Sequence, residues 1–300
     1  MFLILALPAF AQNSSDWTLT GINFMKASRY SDAIECFQKA LKLDKSNPEA
    51  WCYWGVALSK LEKYQDAIQC YDNSLKTNPN FSYAWFNKGI ALGKLGRPVD
   101  EILCYDRFLK LEPKSTEAWL NRGAAFEKLG RVDDAISSYD MAIKIDPNFS
   151  DAWYDKGLLL SSCSRYYEAI KCFDKVLQLK PRDAGACNQK AILFEKSGRL
   201  IEAMDYYSRA VEIDSYFTEA WYNKARVLYQ LQRYDEALAC YDKVIQIKPN
   251  SVEAWHDKGV ILYQKGRYNE ALKCAYQALS LDPNYEKAKQ LRDACLAELQ

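Results

Sequence analysis

Hydrophobic and polar positions along this chain follow two superimposed periods. Over a dozen residues at a time, apolar side chains return at the 3.6-residue spacing of an amphipathic helix. The whole pattern then repeats every 34 residues. Trp17, Trp51, Trp85, Trp119, Trp153, Trp221 and Trp255 stand on that grid, with Cys187 in the remaining place. Four residues after each grid point comes Gly21, Gly55, Gly89, Gly123, Gly157, Ala191, Ala225 or Gly259. A small residue sixteen after the grid point (Ala33, Ala67, Ala135, Ala169, Ala203, Ala237, Ala271) is broken only by Glu101, and a ring twenty after it only by Ala275. The units are 14–47, 48–81, 82–115, 116–149, 150–183, 184–217, 218–251 and 252–285.

Each unit reads as two helices. Ser82, Thr116, Ser150, Thr218 and Pro48 open first helices, with an acidic residue soon after in most units, as helix starts prefer. Turns such as Gly130-Arg131 and Gly266-Arg267 break the first apolar run. The second run, for example 133–145, ends before Asp-Pro-Asn, where proline cannot continue a helix. Trp and Gly share one helical face, so they read as packing residues, with the glycine letting the small alanine of the second helix approach. Residues 286–300 abandon the Trp and Gly phases. Ala288, Leu291, Cys295 and Leu299 there form one apolar stripe, predicting a capping helix.

These phases resemble the tetratricopeptide repeat (TPR) over residues 14–285. The resemblance implies an all-α fold, a right-handed superhelical solenoid of helix-turn-helix repeats, and a groove lined by the first helices. It implies a scaffold for protein or peptide partners rather than an enzyme. Pro98 and Glu101 in the third unit, Cys187 and Ala191 in the sixth, and Lys45 in place of a proline in the first depart from the pattern, and the softest interfaces are expected there.

Counting each unit from its opening residue puts the Trp at position 4. Positions 4, 8 and 11 fill one face, and 3, 7, 10 and 14 another. Positions 2, 5, 6, 9, 12 and 13 are left over and stack into a continuous surface. Position 6 reads Leu19, Tyr53, Asn87, Asn121, Asp155, Gln189, Asn223 and Asp257. Amides both donate and accept, which suits the backbone of an extended peptide. The row resembles the asparagine ladder of O-linked glycosyl transferases at Asn87, Asn121 and Asn223, while solvated polar residues on an exposed face would look the same. Position 5 adds exposed aromatics, Phe86, Tyr154 and Tyr222, with Leu120 and His256. Acids at position 2 (Glu49, Glu117, Asp151, Glu219, Glu253) and lysines at position 13 (Lys26, Lys60, Lys94, Lys128, Lys196) give the groove two oppositely charged rims, which would orient a ligand. The basic clamp of chaperone-tail binders is not matched, since position 5 holds no lysine and position 9 is mostly aliphatic.

Composition trims the alternatives. Forty basic and 39 acidic residues leave a formal charge of +1, without the positive footprint of a nucleic-acid binder. An RNA-binding solenoid, or a regulatory module that assembles with itself, stands as the alternative to a peptide-binding scaffold. One histidine in 300 residues argues against zinc and against catalysis, so no cofactor, metal or catalytic residue is expected. Six of the ten cysteines share one repeat phase and read as small buried hydrophobes. The apolar stretch Met1–Ala11 is too short to span a bilayer. Its Ala9-Phe10-Ala11 ending resembles a signal-peptide cleavage site, which favours export with a mature terminus near Gln12, although no positive n-region precedes it. The same residues read otherwise as an apolar N-terminal cap, and reduced cysteines pull away from an oxidising compartment. A monomer or weak self-association is expected.

Overall fold

A computed structural model describes residues 13–300. The reading of Met1–Ala11 as a leader or a cap lies outside the described residues. Among those residues every regular element is a helix, and the helices alternate strictly. First helices have thirteen residues each: α1 Ser14–Lys26, α3 Pro48–Lys60, α5 Ser82–Lys94, α7 Thr116–Lys128, α9 Ser150–Ser162, α11 Ala184–Lys196, α13 Thr218–Gln230 and α15 Val252–Gln264. Second helices have fourteen: α2 Tyr30–Leu43, α4 Tyr64–Thr77, α6 Pro98–Leu111, α8 Val132–Ile145, α10 Tyr166–Leu179, α12 Leu200–Ile213, α14 Tyr234–Ile247 and α16 Tyr268–Leu281. The last helix, α17, is Glu286–Glu298. The protein is an all-α solenoid of helix-turn-helix repeats. It divides into two compact bodies, one ending at Asp155 and one beginning at Lys156.

Local chemistry sets the helix ends. Asn47, Ser115, Asp183 and Ser251 precede first helices and accept a hydrogen bond from the backbone N–H three residues on. Each cap satisfies a donor the helix leaves over and contributes about 1 kcal/mol. Between the two helices of a unit the chain reverses through one residue at positive φ. Gly96, Gly130, Gly198 and Gly266 hold that place in four units, and Ser28, Glu62, Ser164 and Gln232 hold it in the others. In seven units an arginine then precedes the second helix and pairs with the acid three residues on, as in Arg131–Asp134 at 2.7 Å.

In the first body the core is a column of side chains from both helices of each hairpin. Ala33, Phe37, Ala67, Tyr71, Ala135 and Tyr139 have no exposed surface. Cys52, Tyr71, Ala84, Leu92 and Cys104 belong to one cluster, so neighbouring hairpins share their apolar surface. The glycine four residues after the Trp in each of these hairpins makes room for the ring of its own second helix, not for the alanine. A Cβ on Gly21 would lie 2.5 Å from Phe37 and one on Gly55 2.6 Å from Tyr71.

Pro98 does not disturb α6, because it occupies the first turn, where its missing N–H costs nothing. Glu101 stands in the alanine place and is buried there, against Gly93, whose absent side chain leaves the space.

In the second body, Ala203, Tyr207, Ala237 and Ala271 repeat the column, and α17 completes it with Ala288, Leu291 and Cys295 buried. Leu291 takes the space against Gly259 that a ring fills elsewhere, since Ala275 stands in the ring position. Leu299 lies beyond the end of α17 and is exposed, unlike the rest of the expected stripe.

The grid tryptophans are half-buried rather than sealed plugs. Their indole N–H groups tie down the preceding inter-unit turn. Trp85 donates to the Pro79 carbonyl at 2.9 Å, Trp119 to that of Pro113 and Trp255 to that of Pro249, both at 3.0 Å. A cation at position 7 lies over the indole, Lys88 on Trp85 and Arg122 on Trp119. The same cation pairs with an aspartate of the preceding second helix, Asp72 at 2.6 Å and Asp106 at 2.7 Å. Trp, cation and Asp thus clip one hairpin to the one before it.

Candidate functional site

With positions 4, 8 and 11 packed on the second helix and 3, 7 and 10 on the preceding hairpin, each first helix keeps one uncovered arc. Its borders are solvent-exposed, with Glu49, Glu117, Asp151, Glu219 and Glu253 on one side and Lys60, Lys94 and Lys128 on the other. Between them positions 5 and 6 are mostly half-buried.

In the first body, Phe86 is packed in a ring cluster, its centroid 5.9 Å from Tyr105 and 5.1 Å from Phe108. It is half-buried, not the exposed aromatic expected, and so are Leu120 and Tyr154. The Asn87 amide donates to the Tyr83 carbonyl of its own helix at 2.8 Å. Burial and the Glu101 charge push the Tyr105 hydroxyl up, and a hydrogen bond with Asn121 opposes them. Burial, with Glu127 and Asp151 nearby, raises the Asp155 carboxyl to about 6. Lys60 and Lys94 extend into solvent, whereas Lys128 reaches the buried Glu101 at 3.1 Å. Burial raises the Glu101 carboxyl, and Lys128 draws it back down.

In the second body, Gln189 and Asn223 are half-buried. Tyr222 donates its hydroxyl to Asp257 at 2.6 Å, and the buried Tyr241 reaches the same oxygen at 3.4 Å. His256 Nδ1 meets the other Asp257 oxygen at 2.8 Å. Burial raises the Asp257 carboxyl, yet the bonds from His256 and Tyr222 outweigh it and leave it below its usual range. Arg226 pairs with Glu195 at 3.2 Å, and Tyr207 donates to the same carboxylate at 2.9 Å.

One kind of contact beneath this arc escapes a reading by residue type alone. The rings at position 24 are buried, and in three units the equally buried hydroxyl bonds from beneath to the arc residue at position 12. Tyr71 meets Ser59 at 3.1 Å, Tyr139 donates to Glu127 at 3.0 Å, and Tyr207 reaches Glu195, always the residue twelve earlier. The sequence carries no clear signal for these bonds, because Ser161 stands at position 12 opposite Phe173, which has no hydroxyl to offer.

Clefts of about 280 Å³ and 360 Å³ open on the second body, the first lined by Arg226, Tyr229, Tyr241 and Asp257, the other by Glu219, Tyr222, Lys248 and Glu253. The arrangement offers amide, carboxylate and aromatic surface. The buried cysteine thiols offer little, since burial pushes Cys104 up to about 12 and Cys240 up to about 11. No helix among the described residues is long and apolar enough to cross a membrane.

Models of the tetratricopeptide repeat match residues 48–81, 116–149, 150–183, 184–217 and 224–295, with further matches at 70–102 and, as a TPR repeat, at 23–62. No match is found among curated proteins. Among solved structures, the chain is similar to the C-terminal part of a TPR repeat-containing protein from Cytophaga hutchinsonii, with TM-score 0.71 and 17% identity over 80% of this chain and 98% of that one. It is similar to MamA, with TM-score 0.52 and 27% identity over 54% of this chain and 94% of that one. It also resembles YrrB, described as a TPR protein with an unusual peptide-binding site, with TM-score 0.55 and 22% identity over 63% of this chain and 97% of that one. Paired helices of constant length, a glycine seated under the second-helix ring in five hairpins and repeat models matching between residue 23 and residue 295 have one explanation: the chain belongs to the tetratricopeptide repeat proteins.

Proposed function

We propose that this protein is a non-catalytic adaptor that holds an extended peptide, or an extended segment of a protein partner, against the uncovered arc of its first helices. The observation that carries the reading is the row of half-buried polar side chains at position 6 in six consecutive hairpins. Asn87, Asn121 and Asp155 supply it in the first body, and Gln189, Asn223 and Asp257 in the second. Side chains held partly immobile lose little entropy on binding. Amides can bond to a peptide backbone whatever its sequence, and Phe86, Tyr154 and Tyr222 beside them add apolar surface. The exposed lysines Lys60 and Lys94 opposite the position-2 acids would set the direction in which a peptide lies. Repeats of this family support protein interaction in general; the arc and its peptide are our reading.

Selection of binders from a random peptide library displayed on phage, against the full chain, tests it. Selected peptides should lose at least about fivefold in affinity to an Asn87→Ala/Asn121→Ala/Asn223→Ala variant, the loss of two or three hydrogen bonds. They should bind normally to Val99→Ser/Leu103→Ser, on the exposed outer side of α6. The opposite pattern would move binding to that outer side and end the proposal.

A further inference from the structure

The first-helix arc changes its charge along the chain. Position 13 is Lys in the first four units and in the sixth, but Gln230 and Gln264 in the last two. Position 2 stays acidic there, with Glu219 and Glu253. Arg226 is the single cation on the arc of α13 and α15, and Glu195 engages it. Carboxylates therefore outnumber cations on this face, with Asp257 adding another.

The cleft of about 360 Å³ lies within this face. Glu219 and Glu253, one repeat apart, flank the ring of Tyr222, and Val244 and Lys248 line it from the second-helix side. Tyr222 is held in place from behind by its 2.6 Å bond to Asp257 and its edge-on packing against Tyr241, with centroids 5.7 Å apart. Glu219 is likewise positioned, since it accepts from the Asn188 amide at 3.2 Å. Asn188 is itself buried, so the carboxylate it holds is fixed from the protein side. A fixed aromatic ring between two carboxylates is chemistry for a flat, delocalised cation. A guanidinium can lie on the ring face and direct its N–H groups at the acids in a planar fork, which an ammonium cannot do.

We infer that the α13–α15 face is a subsite for an arginine side chain of the bound peptide, with Tyr222 as its platform and Glu219 and Glu253 as its acceptors. This rests on the peptide-binding reading and names one side chain that the peptide carries. Lys248, on the cleft wall, is a built-in competitor for the same acids.

The test uses N-acetyl-L-arginine N-methylamide, with its citrulline counterpart, in which a neutral urea replaces the guanidinium. Each is titrated into the isotopically labelled full chain and followed by amide chemical shifts. The arginine compound should shift amides of residues 218–230 and 252–264 saturably, and the citrulline compound should bind at least about fivefold more weakly. Glu219→Gln/Glu253→Gln, which keeps an acceptor for Asn188, should weaken the arginine compound by a similar factor. Lys248→Ala should bind it about twofold more tightly, a gain that no loss of structure would produce. Equal binding of the two compounds, or a response unchanged in the Gln variant with its melting temperature intact, overturns the inference. If phage-selected peptides occupy the first-helix arc while the arginine compound is silent, this subsite fails and the peptide reading stands. If the compound binds as expected and no peptide does, the subsite stands and the reading of an extended peptide fails.

Discussion

Gly123 and Tyr139 are packed with nothing between them: a Cβ added to Gly123 would lie 2.5 Å from Cε1 of the Tyr139 ring. The ring is fully buried and its hydroxyl is bonded to Glu127, so it cannot swing aside without losing both. Gly123→Ala should therefore lower stability by about 1–3 kcal/mol, as overpacking of a filled core does. The units with alanine at this place show that the spacing can adapt: Ala191 clusters with Tyr207 and Ala225 with Tyr241. The reverse changes, Ala191→Gly and Ala225→Gly, should cost only about 0.5–1 kcal/mol, the helix-propensity difference. Melting temperatures of the three variants settle the ordering. A Gly123→Ala protein as stable as the parent would show that the ring is not confined.

The four non-glycine residues at positive φ carry strain that their glycine counterparts do not. Glu62 has φ 60° and Gln232 φ 59°, where Gly96 and Gly130 have φ 68° and 69°. A side chain in this region costs about 1–2 kcal/mol, while glycine loses more entropy on folding. Glu62→Gly and Gln232→Gly should each raise stability by up to about 1 kcal/mol, and combining them should be additive because the turns are far apart in sequence. Thermal unfolding of the single and double variants checks this, and a fall in melting temperature for both singles would contradict it.

Much of this architecture is legible in the 34-residue grid, because every hairpin repeats one packing solution and an error in one unit is corrected by seven others. Helix starts at Pro48 and Thr116 follow from the caps Asn47 and Ser115, whereas Ser82 opens its helix after Phe81, which makes no side-chain cap. What spacing alone does not give is the partner of each residue. Spacing matches Gly21 with the alanine of the second helix, but it faces Phe37, because both fall on the inward face and only depth separates them. Trp119 reads as a plug, although its N–H needs an acceptor and finds the Pro113 carbonyl near the surface. On the first-helix arc, position alone yields the row of Asn87, Asn121 and Asn223. It does not yield the bonds that the buried hydroxyls of Tyr139 and Tyr207 make to Glu127 and Glu195, since a residue assigned to the core is not expected to hold an arc residue from beneath.

Asp155 gives the first body a pH-dependent stability of known sign. Burial, with Glu127 and Asp151 beside it, lifts its carboxyl from 3.8 to about 6. A carboxyl raised in the folded state contributes stability fully present below its unfolded value, near 3.8, and lost as pH rises through about 6. Asp155→Asn keeps the shape and removes the charge, so it should stabilise the protein by about 1–3 kcal/mol at pH 7.5 and by much less at pH 4. Melting curves of the parent and variant at the two pH values test it. A difference that is constant with pH would mean that Asp155 titrates in its ordinary range.

The three rim lysines separate under charge reversal, although they occupy the same position in their units. Lys60 and Lys94 are exposed in solvent, and reversing an exposed charge changes stability by only about 0.5 kcal/mol. Lys128 faces Glu101, a carboxylate that is 5% exposed and has Lys128 as its salt-bridge partner at 3.1 Å. Removing that cation leaves a buried charge uncompensated, and a glutamate there would add repulsion. Lys128→Glu should therefore cost about 2–4 kcal/mol at pH 7, and Lys60→Glu/Lys94→Glu almost nothing. Adding Glu101→Ala, which restores the alanine found at this place in the other seven units, should recover most of the loss. Recovery is the decisive measurement, because a Lys128→Glu defect that persists in the Glu101→Ala background would have to arise from something other than the Glu101 carboxylate.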